Sequence, residues 1–388
     1  MTTRITPPDG TRFTLPEEAI SKTEVIAKLR QLYHTWGYKL VDVPALEKYD
    51  PNHPRAHQSF KFADQDGSVL ALRSDFTPAL SQLIRANYPD DVPLRLQYCG
   101  DVWQGTKPDF NATREFTQIG LELVGVSNAR ADAELIHLAR ESLRTVGLNP
   151  RVELGNPSFV KTLFDLAEIE ETEREKIADA IDRKDQRTLQ SLLEPLNLAK
   201  DLHHALLNVS DLYGDIHILK EAHSLAPWPE TTRELKRLDE IISEFEDSSE
   251  LLLDLGMARR LSYYTGVTFR AYTFDFGQPL IGGGRYDGAL LPFAAGFSLG
   301  LERLMRALPK TQSATSTLVL SLEDAPARLL RKAGYSVERT LMTDLDEARL
   351  YAQQKGIAFL LTERGLEPLV RNHPLYTELL LALGEGHA

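Results

Sequence analysis

Cysteine is almost absent from this sequence, because Cys99 is the only one in 388 residues. A single thiol excludes an internal disulfide framework and favours a reducing compartment. Cys99 stands in an alternating apolar run, which is typical of a buried and unreactive thiol. A chain of this length can bury a large core without cross-links, and we expect one large domain and a smaller one.

Long apolar runs are missing as well. No stretch approaches the roughly 18 uncharged apolar residues that a membrane span requires. The segment from Met1 to Gly10 has no apolar h-region of a secretory signal. We therefore expect a soluble, cytoplasmic protein with no membrane partner.

Positive charge is not in excess either, since 44 Lys and Arg stand against 56 Asp and Glu, a net charge of -12. Such a surface repels phosphate backbones unless the basic residues form a patch, and the sequence shows no such patch. The ten histidines show no metal-ligand spacing, and His203 and His204 would point apart on a predicted helix. We expect no nucleic-acid partner, no metal and no cofactor.

The amino-terminal part of the chain predicts a long helix followed by a strand. Thr14 and Glu17 have the spacing of a capping box, so the helix should begin there. A core-facing stripe then recurs at helical spacing: Leu29, Leu32, Tyr33 and Trp36. Gly37 should end the helix, and the alternation from Tyr38 to Pro44 predicts a strand.

The middle of the chain predicts a hairpin, a helical insertion and further strands. Period-two alternation from Val92 to Val124 indicates an antiparallel hairpin with a long polar loop at Gly105 to Thr113. Residues from about 159 to 245 are typical of helices. Strand patterns return from Leu251 to Phe276, and an apolar helix is expected around Leu299 to Leu308.

The end of the chain predicts a separate small domain. Between Pro309 and Ser316 the composition changes to that of a linker. Short strand and helix patterns follow, so the division is into domains 1–310 and 311–388, the second a small C-terminal α/β domain. Residues 311–388 carry ten acidic and eight basic residues, which does not indicate a nucleic-acid surface.

The segment from Arg114 to Leu123 carries the most information about function. In a strand, Ile119, Leu121 and Leu123 would share the core face, and the other face would bear Gln118, Gly120 and Glu122. A glycine between an amide and a carboxylate leaves room for a small polar ligand against the backbone. The alternative is a half-exposed strand whose polar face is merely solvated.

Two further segments supply groups that suit an amino acid ligand. Arg73, Asp75 and Thr77 would share one face of another short strand, and the segment from Arg259 to Gly266 adds an arginine, Tyr263 and Tyr264. A zwitterion needs an acceptor for its ammonium and a cation for its carboxylate, and histidine also needs partners for two ring nitrogens. The alternative for the tyrosines is a place in the core.

Over residues 8 to 308 these segments resemble class II aminoacyl-tRNA synthetases, and in particular the histidyl-tRNA synthetases. The matching stretches are, in order, Gly37 to Glu47 for motif 1; Arg114, Phe116, Gln118 and Glu122 for motif 2; Arg259 to Gly266 and Gly283 to Gly288 for the two histidine signatures; and Gly300 to Arg303 for motif 3. The resemblance implies an α+β fold with an antiparallel sheet flanked by helices. The helical segment at about 159–245 would be an insertion in it.

Carried over to this sequence, the resemblance implies a histidine-binding site. Asp75, Thr77 and Gln118 would hold the α-amino group. Glu122 and Tyr264 would recognise the imidazole. Arg259 would lie by the carboxylate, and Tyr263 would line the site.

The departures from the family concern ATP. Gln104, Thr106 and Ala112 stand where the synthetases have an arginine, a glutamate and a second arginine that handle the nucleotide. Losing one donor aimed at developing charge typically costs roughly 3 kcal/mol of transition-state stabilisation. Arg260 and Ser262 also replace a glycine and an aspartate of the signature. We therefore expect no catalytic residues and no activation of an amino acid.

A paralogous group shares this profile: the regulatory subunits of ATP phosphoribosyltransferase, which acts in the first step of histidine biosynthesis. The stretch from Ala205 to Gly214 resembles one typical of that group. The resemblance implies a subunit that joins the short-form catalytic subunit, raises its activity and transmits inhibition when histidine binds. A homodimer within a hetero-octamer is implied too.

Two alternatives remain open. One is a divergent histidyl-tRNA synthetase, and the other is an enzyme that uses histidine outside translation without a partner. Arg285 and Arg303 could each bind a phosphate or pair with a carboxylate, and for Arg303 we favour the structural role.

Overall fold

The computed structural model describes residues 6–51, 56–88, 93–106, 113–257, 264–309 and 317–384. The chain forms two compact units, one of Met1–Phe13 and Lys22–Pro309 and the other of Thr14–Ser21 and Lys310–Ala388. Most of the predicted linker, 310–316, lies outside the described residues. The domain boundary after residue 310 stays a prediction.

The helices are spread over both units of the chain, and α4 to α7 follow one another without an intervening strand. Within the described residues they are α1 (Pro16–Thr35), α2 (Thr77–Asn87), α3 (Ala129–Thr145), α4 (Pro157–Leu166), α5 (Glu171–Asp182), α6 (Gln186–Leu193), α7 (Lys200–Asn208), α8 (Ile218–Leu225), α9 (Pro229–Ser243), α10 (Leu301–Ala307), α11 (Asp324–Lys332), α12 (Leu345–Lys355) and α13 (Tyr376–Leu383). None of these helices is both long enough and apolar enough to cross a membrane.

The strands form three sheets. In chain order they are β1 (Lys39–Leu40), β2 (Leu46–Lys48), β3 (Lys61–Ala63), β4 (Val69–Leu72), β5 (Leu94–Trp103), β6 (Glu115–Val124), β7 (Pro150–Gly155), β8 (Tyr213–Gly214), β9 (Leu251–Asp254), β10 (Thr268–Thr273), β11 (Phe276–Arg285), β12 (Ala294–Gly300), β13 (Val319–Ser321), β14 (Val337–Arg339), β15 (Phe359–Thr362) and β16 (Gly365–Pro368).

The first unit is built on a nine-stranded sheet in the order β1-β5-β6-β12-β11-β10-β7-β9-β8. Neighbours are antiparallel except at β1–β5 and β7–β9, which run parallel. The predicted hairpin supplies its second and third strands, and β5 and β6 pair without interruption from Leu94↔Val124 to Trp103↔Glu115. The predicted α+β fold with a largely antiparallel sheet is confirmed.

The core lies between this sheet and the helices that cover one face. Ile119, Leu121 and Leu123 are buried in it, as the alternation along β6 predicts. On α1, Leu29 and Tyr33 are fully buried. Trp36 lies beyond the end of α1 and is 37% exposed, so the predicted stripe is one residue too long.

Cys99 is half-buried, and burial raises the pKa of its thiol above the ordinary value. A raised pKa leaves less thiolate at neutral pH, which agrees with the expected unreactive state.

The segment predicted to be helical contains α4 to α9, with the short strand β8 between α7 and α8, and its role as an insertion stays a prediction. Ala205, Leu206, Val209 and Leu212, from the stretch that resembles the regulatory group, are all buried in the core of this region.

One predicted strand is wrong. The segment from Arg73 to Phe76 is irregular, and α2 begins at Thr77 with Pro78 in its first turn, where a missing N–H costs nothing. Asp75 and Thr77 therefore do not alternate along a strand.

The second unit contains a four-stranded sheet in the order β14-β13-β15-β16. β13 runs parallel to both neighbours, and β15–β16 is an antiparallel pair. Residues of α11 and α13 pack in one apolar cluster and those of α12 in another. This is the small α/β module that the sequence predicts.

Candidate functional site

The polar face of β6 is buried rather than solvated. Gln118 is 8% exposed and Glu122 is 3% exposed. This excludes the alternative of a half-exposed strand with its polar side in water. Buried polar groups require partners in the protein or in a ligand, so each of their contacts is informative.

Glycines from two neighbouring strands make this face shallow. Gly296 of β12 lies opposite Glu122, and Gly284 of β11 lies opposite Gly296. A Cβ on Gly296 would come within 2.1 Å of Glu122 Oε2, and one on Gly120 within 2.3 Å of the Tyr98 hydroxyl oxygen. Only glycine fits at these two positions.

This face, here called the glycine floor, has free space at Gly282, where a Cβ would meet no atom within 4 Å. Gly282 lies opposite Ser298 of β12, which itself lies opposite Gly120. The face therefore continues beyond Gly120 as a bed with small side chains, on which a ligand can lie against the backbone.

Glu122 is at the centre of this face, and both of its carboxylate oxygens accept hydrogen bonds. Thr77 Oγ1 donates to Oε1 at 2.9 Å, and the Tyr286 hydroxyl donates to Oε2. Burial raises the pKa of Glu122 to about 8, against the lowering effect of these two bonds, and the charge of Asp75 raises it further. At neutral pH this carboxyl group is poised to exchange a proton with a basic ligand atom.

Gln118 and Asp75 form the second polar part of the site. Gln118 Nε2 donates to Asp75 Oδ1 at 3.2 Å. Gln118 Oε1 is buried and accepts no hydrogen bond from the described part of the chain. An unsatisfied buried acceptor costs about 1–3 kcal/mol, and a ligand ammonium group would remove that cost.

Tyr264 lies next to these groups. It packs with Tyr286 in one apolar cluster, and a Cβ on Gly284 would come within 2.8 Å of its Cδ1 atom. The structure thus brings Asp75, Thr77, Gln118 and Glu122 into one hydrogen-bonded group, with Tyr264 beside the tyrosine that contacts Glu122.

Arg259 and Tyr263, the two other predicted site residues, lie outside the described residues. So do Arg260 and Ser262, which replace signature residues.

Arg73 does not belong to the site, although the sequence places it on one face with Asp75. Its guanidinium group is buried and donates to the backbone carbonyls of Asp101 and Val43. It also stacks on Phe76 at 3.9 Å from the ring centroid. Phe76 in turn stacks on Tyr98, so Arg73 fixes the turn before α2.

Tyr286 contacts Glu122 in the pocket, but the sequence did not predict it as a site residue. The signature that contains it was recognised, but Tyr286 and Glu122 are 164 positions apart. One sequence signal could have indicated the pocket. Gly296 and Ser298 alternate along β12, which predicts a strand with little side-chain volume on one face.

The region where synthetases bind ATP is partly described. The N–H of Gln104 donates to the carbonyl of Arg114 at 2.8 Å and extends the β5–β6 ladder by one pair. Thr106 follows, and Ala112 lies outside the described residues. Arg114 stacks on Phe60 at 4.4 Å from the ring centroid, and its side chain also lies against Gly10.

The arginines of the later motifs contact the protein itself. Arg285 is buried and bonded to Asp132 and Asp287. Arg303 donates to the carbonyl of Pro279 at 3.1 Å. These contacts favour structural roles for both.

The chain matches the family model described as Histidyl-tRNA synthetase over residues 10–304. It is 43% identical over 356 residues to an ATP phosphoribosyltransferase regulatory subunit of Thermus thermophilus, which covers 91% of this chain and 96% of the relative. A protein with the same description from Deinococcus radiodurans is 40% identical, over 90% of this chain and 87% of the relative.

Solved structures agree on the fold. A crystal structure from Bacillus halodurans, described as an ATP phosphoribosyltransferase regulatory subunit/histidyl-tRNA synthetase, superimposes with a TM-score of 0.80 at 27% identity, covering 91% of this chain and 97% of that one. Histidyl-tRNA synthetase from Nostoc sp. has a TM-score of 0.76 at 20% identity, covering 93% and 92%.

Proposed function

Because this chain belongs to the family of ATP phosphoribosyltransferase regulatory subunits, we propose that it binds histidine and controls the catalytic subunit of that enzyme. In this proposal it raises the activity of the short-form catalytic subunit in the cytoplasm, inhibits it when histidine binds, and catalyses no reaction itself. The observation that carries the proposal is the buried polar face around Gln118 and Glu122 on a floor of glycines.

The chemistry of this face suits histidine. Asp75 and the unsatisfied Oε1 of Gln118 supply two acceptors for the α-ammonium group. Glu122, with its raised pKa, can accept a hydrogen bond from one imidazole nitrogen or donate one to it. Thr77 would complete the ammonium site and Tyr264 the imidazole site. Arg259 and Tyr263 complete the proposed set through the family resemblance alone.

The loss of adenylation follows from the nucleotide region. Gln104, Thr106 and Ala112 carry no positive charge to stabilise a triphosphate. Arg303, the motif 3 arginine, donates to a backbone carbonyl. A buried polar face combined with neutral side chains at the three aligned ATP positions supports sensing rather than activation.

The assembly we propose is a homodimer within a hetero-octamer. Beside the motif 1 segment, Leu46 of β2 and Phe62 of β3 lie on the same face of the three-stranded sheet β2-β4-β3, and both side chains are exposed. Exposed apolar side chains on one face mark protein contacts. This surface, here called the motif 1 patch, suits a second copy of the chain.

Titration of histidine into the purified chain, followed by the same titration with the catalytic subunit present, tests the proposal. We expect saturable binding in both, and catalysis that rises on addition of this chain and falls when histidine is added. Alanine, which lacks the imidazole, is the control ligand and should not bind. Absence of histidine binding, or a catalytic subunit indifferent to this chain, would refute the proposal.

Histidine-dependent exchange between ATP and pyrophosphate separates this function from that of a divergent synthetase. With the purified chain we expect no more exchange than in a control reaction that contains no protein. Clear exchange would assign the chain to the synthetases instead.

A further inference from the structure

We propose that Asp132 and Arg237 are positioning residues, which hold Tyr286 against Glu122 and thereby let the helical segment α4–α9 set the affinity of the pocket. The inference deepens the proposed function, because it takes the face around Glu122 to be the histidine site.

Tyr286 is fixed through its neighbours in the chain. It is 3% exposed, and its hydroxyl donates to Glu122 Oε2. On one side, Arg285 Nη1 donates to Asp287 Oδ1 at 2.8 Å. The same oxygen accepts the N–H of Ala294 at 2.9 Å. The position of the tyrosine therefore depends on where Arg285 and Asp287 are held.

Arg285 is held by Asp132 of α3. Its Nε and Nη2 atoms both donate to Asp132 Oδ1, at 2.9 and 2.7 Å. The side chains of both residues are only 5% exposed. A buried ion pair of this kind is costly to break, because one charge is left without compensation.

The second carboxylate oxygen of Asp132 contacts the helical segment α4–α9. Arg237 of α9 donates to Oδ2 from Nε at 3.0 Å, and its Nη2 forms an ion pair with the same oxygen at 2.8 Å. One carboxylate is thus shared by two guanidinium groups, one beside the pocket tyrosine and one on α9. Because a carboxylate is planar and both oxygens are engaged, a shift of Arg237 changes the orientation that Asp132 offers to Arg285.

Arg237 is the residue to vary. Loss of Asp132 would remove one of the two carboxylates that pair with the buried Arg285, and the chain could then fail to fold. Arg237→Ala keeps the Asp132–Arg285 pair, and the Arg237 side chain is already 23% exposed. Arg233→Ala, at an exposed arginine one turn earlier in the same helix, is the matched control.

A second control separates loosening of the helix pair from loss of the Asp132 contact. Arg130 and Glu244 form another ion pair between the start of α3 and the residue that follows α9, at 3.2 Å and on the surface. Arg130→Ala should leave the pocket unchanged.

The first measurement needs no ligand: the titration of the Glu122 carboxyl carbon by ¹³C NMR in the full chain, assigned with Glu122→Gln. Burial raises the pKa of Glu122, and the Tyr286 hydroxyl opposes that effect. Arg237→Ala should therefore move the titration to higher pH, and the two controls should not. In a Tyr286→Phe background the same substitution should have no effect. An unchanged titration in Arg237→Ala would overturn the inference.

The second measurement is histidine affinity by calorimetry. We expect Arg237→Ala to weaken histidine binding about tenfold, and Arg237→Lys to weaken it less. In a chain that already carries Tyr286→Phe, Arg237→Ala should weaken binding by less than about threefold. Equal losses in both backgrounds would contradict a role through Tyr286. A parent chain that binds no histidine would refute the proposed function, while the ligand-free titration would still decide the role of Arg237.

Discussion

Gln118 should contribute to binding much more than to folding. Its buried Oε1 lacks a donor in the described chain, so it costs stability until a ligand arrives. In Gln118→Met the volume is kept and the unsatisfied oxygen is removed. We expect histidine affinity to fall by about one to two decades, since a charged hydrogen bond is worth about 1.5–3 kcal/mol.

The thermal midpoint of that variant should stay close to the parent's, because removal of the unsatisfied Oε1 offsets the loss of the 3.2 Å bond from Nε2 to Asp75. Calorimetry of folding and of binding measures both quantities. Gln97→Met, on the neighbouring strand, is the control: Gln97 Nε2 donates to the carbonyl of Tyr38 at 2.8 Å and no buried amide atom of Gln97 lacks a partner in the described chain, so there the substitution should lower stability. Unchanged affinity in Gln118→Met would remove Gln118 from the site.

Glu122 should make the ligand-free chain less stable as pH rises. Its ordinary pKa of 4.5 is raised by burial to about 8 in the fold, so between these values the folded chain holds a proton that the unfolded chain has lost. The contribution is fully present below pH 4.5 and is lost as pH rises towards 8. A pKa difference of one is worth about 1.4 kcal/mol, so the loss amounts to a few kcal/mol.

Urea unfolding at pH 5.5 and pH 8.5, compared between the parent and Glu122→Gln, measures this contribution. The parent should lose more stability than the variant, in which the proton is replaced by a permanent amide. Parallel losses in the two proteins would mean that Glu122 is ionised throughout.

At the scale of elements, the sequence predicts what local periodicity encodes. The hairpin β5–β6 and the two faces of β6 follow from period two, and α4–α9 from helical spacing. The segment from Arg73 to Phe76 could not be predicted, because its conformation depends on the bonds of Arg73 to the distant carbonyls of Val43 and Asp101. The contact of Glu122 with Tyr286 could not be predicted for the same reason. Alternation along a strand predicts which face a residue lies on, but not which distant residue it contacts there.

The glycine floor gives a prediction that compares two strands of the same sheet. In Gly296→Ala the new Cβ would meet Glu122 and the carbonyl of Leu121, at 2.1 and 2.4 Å. Overpacking of this kind costs about 1–3 kcal/mol, and it displaces the carboxylate, so both stability and histidine binding should fall. Gly282→Ala adds the same methyl group where nothing lies within 4 Å.

For Gly282→Ala we expect an unchanged thermal midpoint and a weaker affinity, because only a ligand on the floor would meet the new methyl group. Differential scanning fluorimetry and calorimetry distinguish the two variants. If Gly282→Ala bound histidine as the parent does, the ligand would not extend over this part of the sheet.

At the scale of the whole molecule, we expect the pocket and the assembly to be separable. Hydrogen bonds join Glu122 to Thr77 and Tyr286, and Gln118 to Asp75, and none of these residues belongs to the motif 1 patch. We therefore expect one copy of the chain to supply these contacts of the site. Dimer formation would then serve the union with the catalytic subunit rather than the binding of histidine.

Charge placed in the motif 1 patch should dissociate the homodimer and spare the pocket. Leu46 and Phe62 are 53% and 41% exposed, so Leu46→Glu with Phe62→Glu costs little in the single chain but buries two carboxylates from each copy in a dimer. Light scattering should give the mass of a monomer, and histidine affinity should stay within about twofold of the parent's. Leu341→Glu, at a side chain 92% exposed in the second unit, is the control and should leave the mass unchanged. A monomer that no longer binds histidine would show that the partner copy completes the site, and an unchanged dimer would place the interface elsewhere.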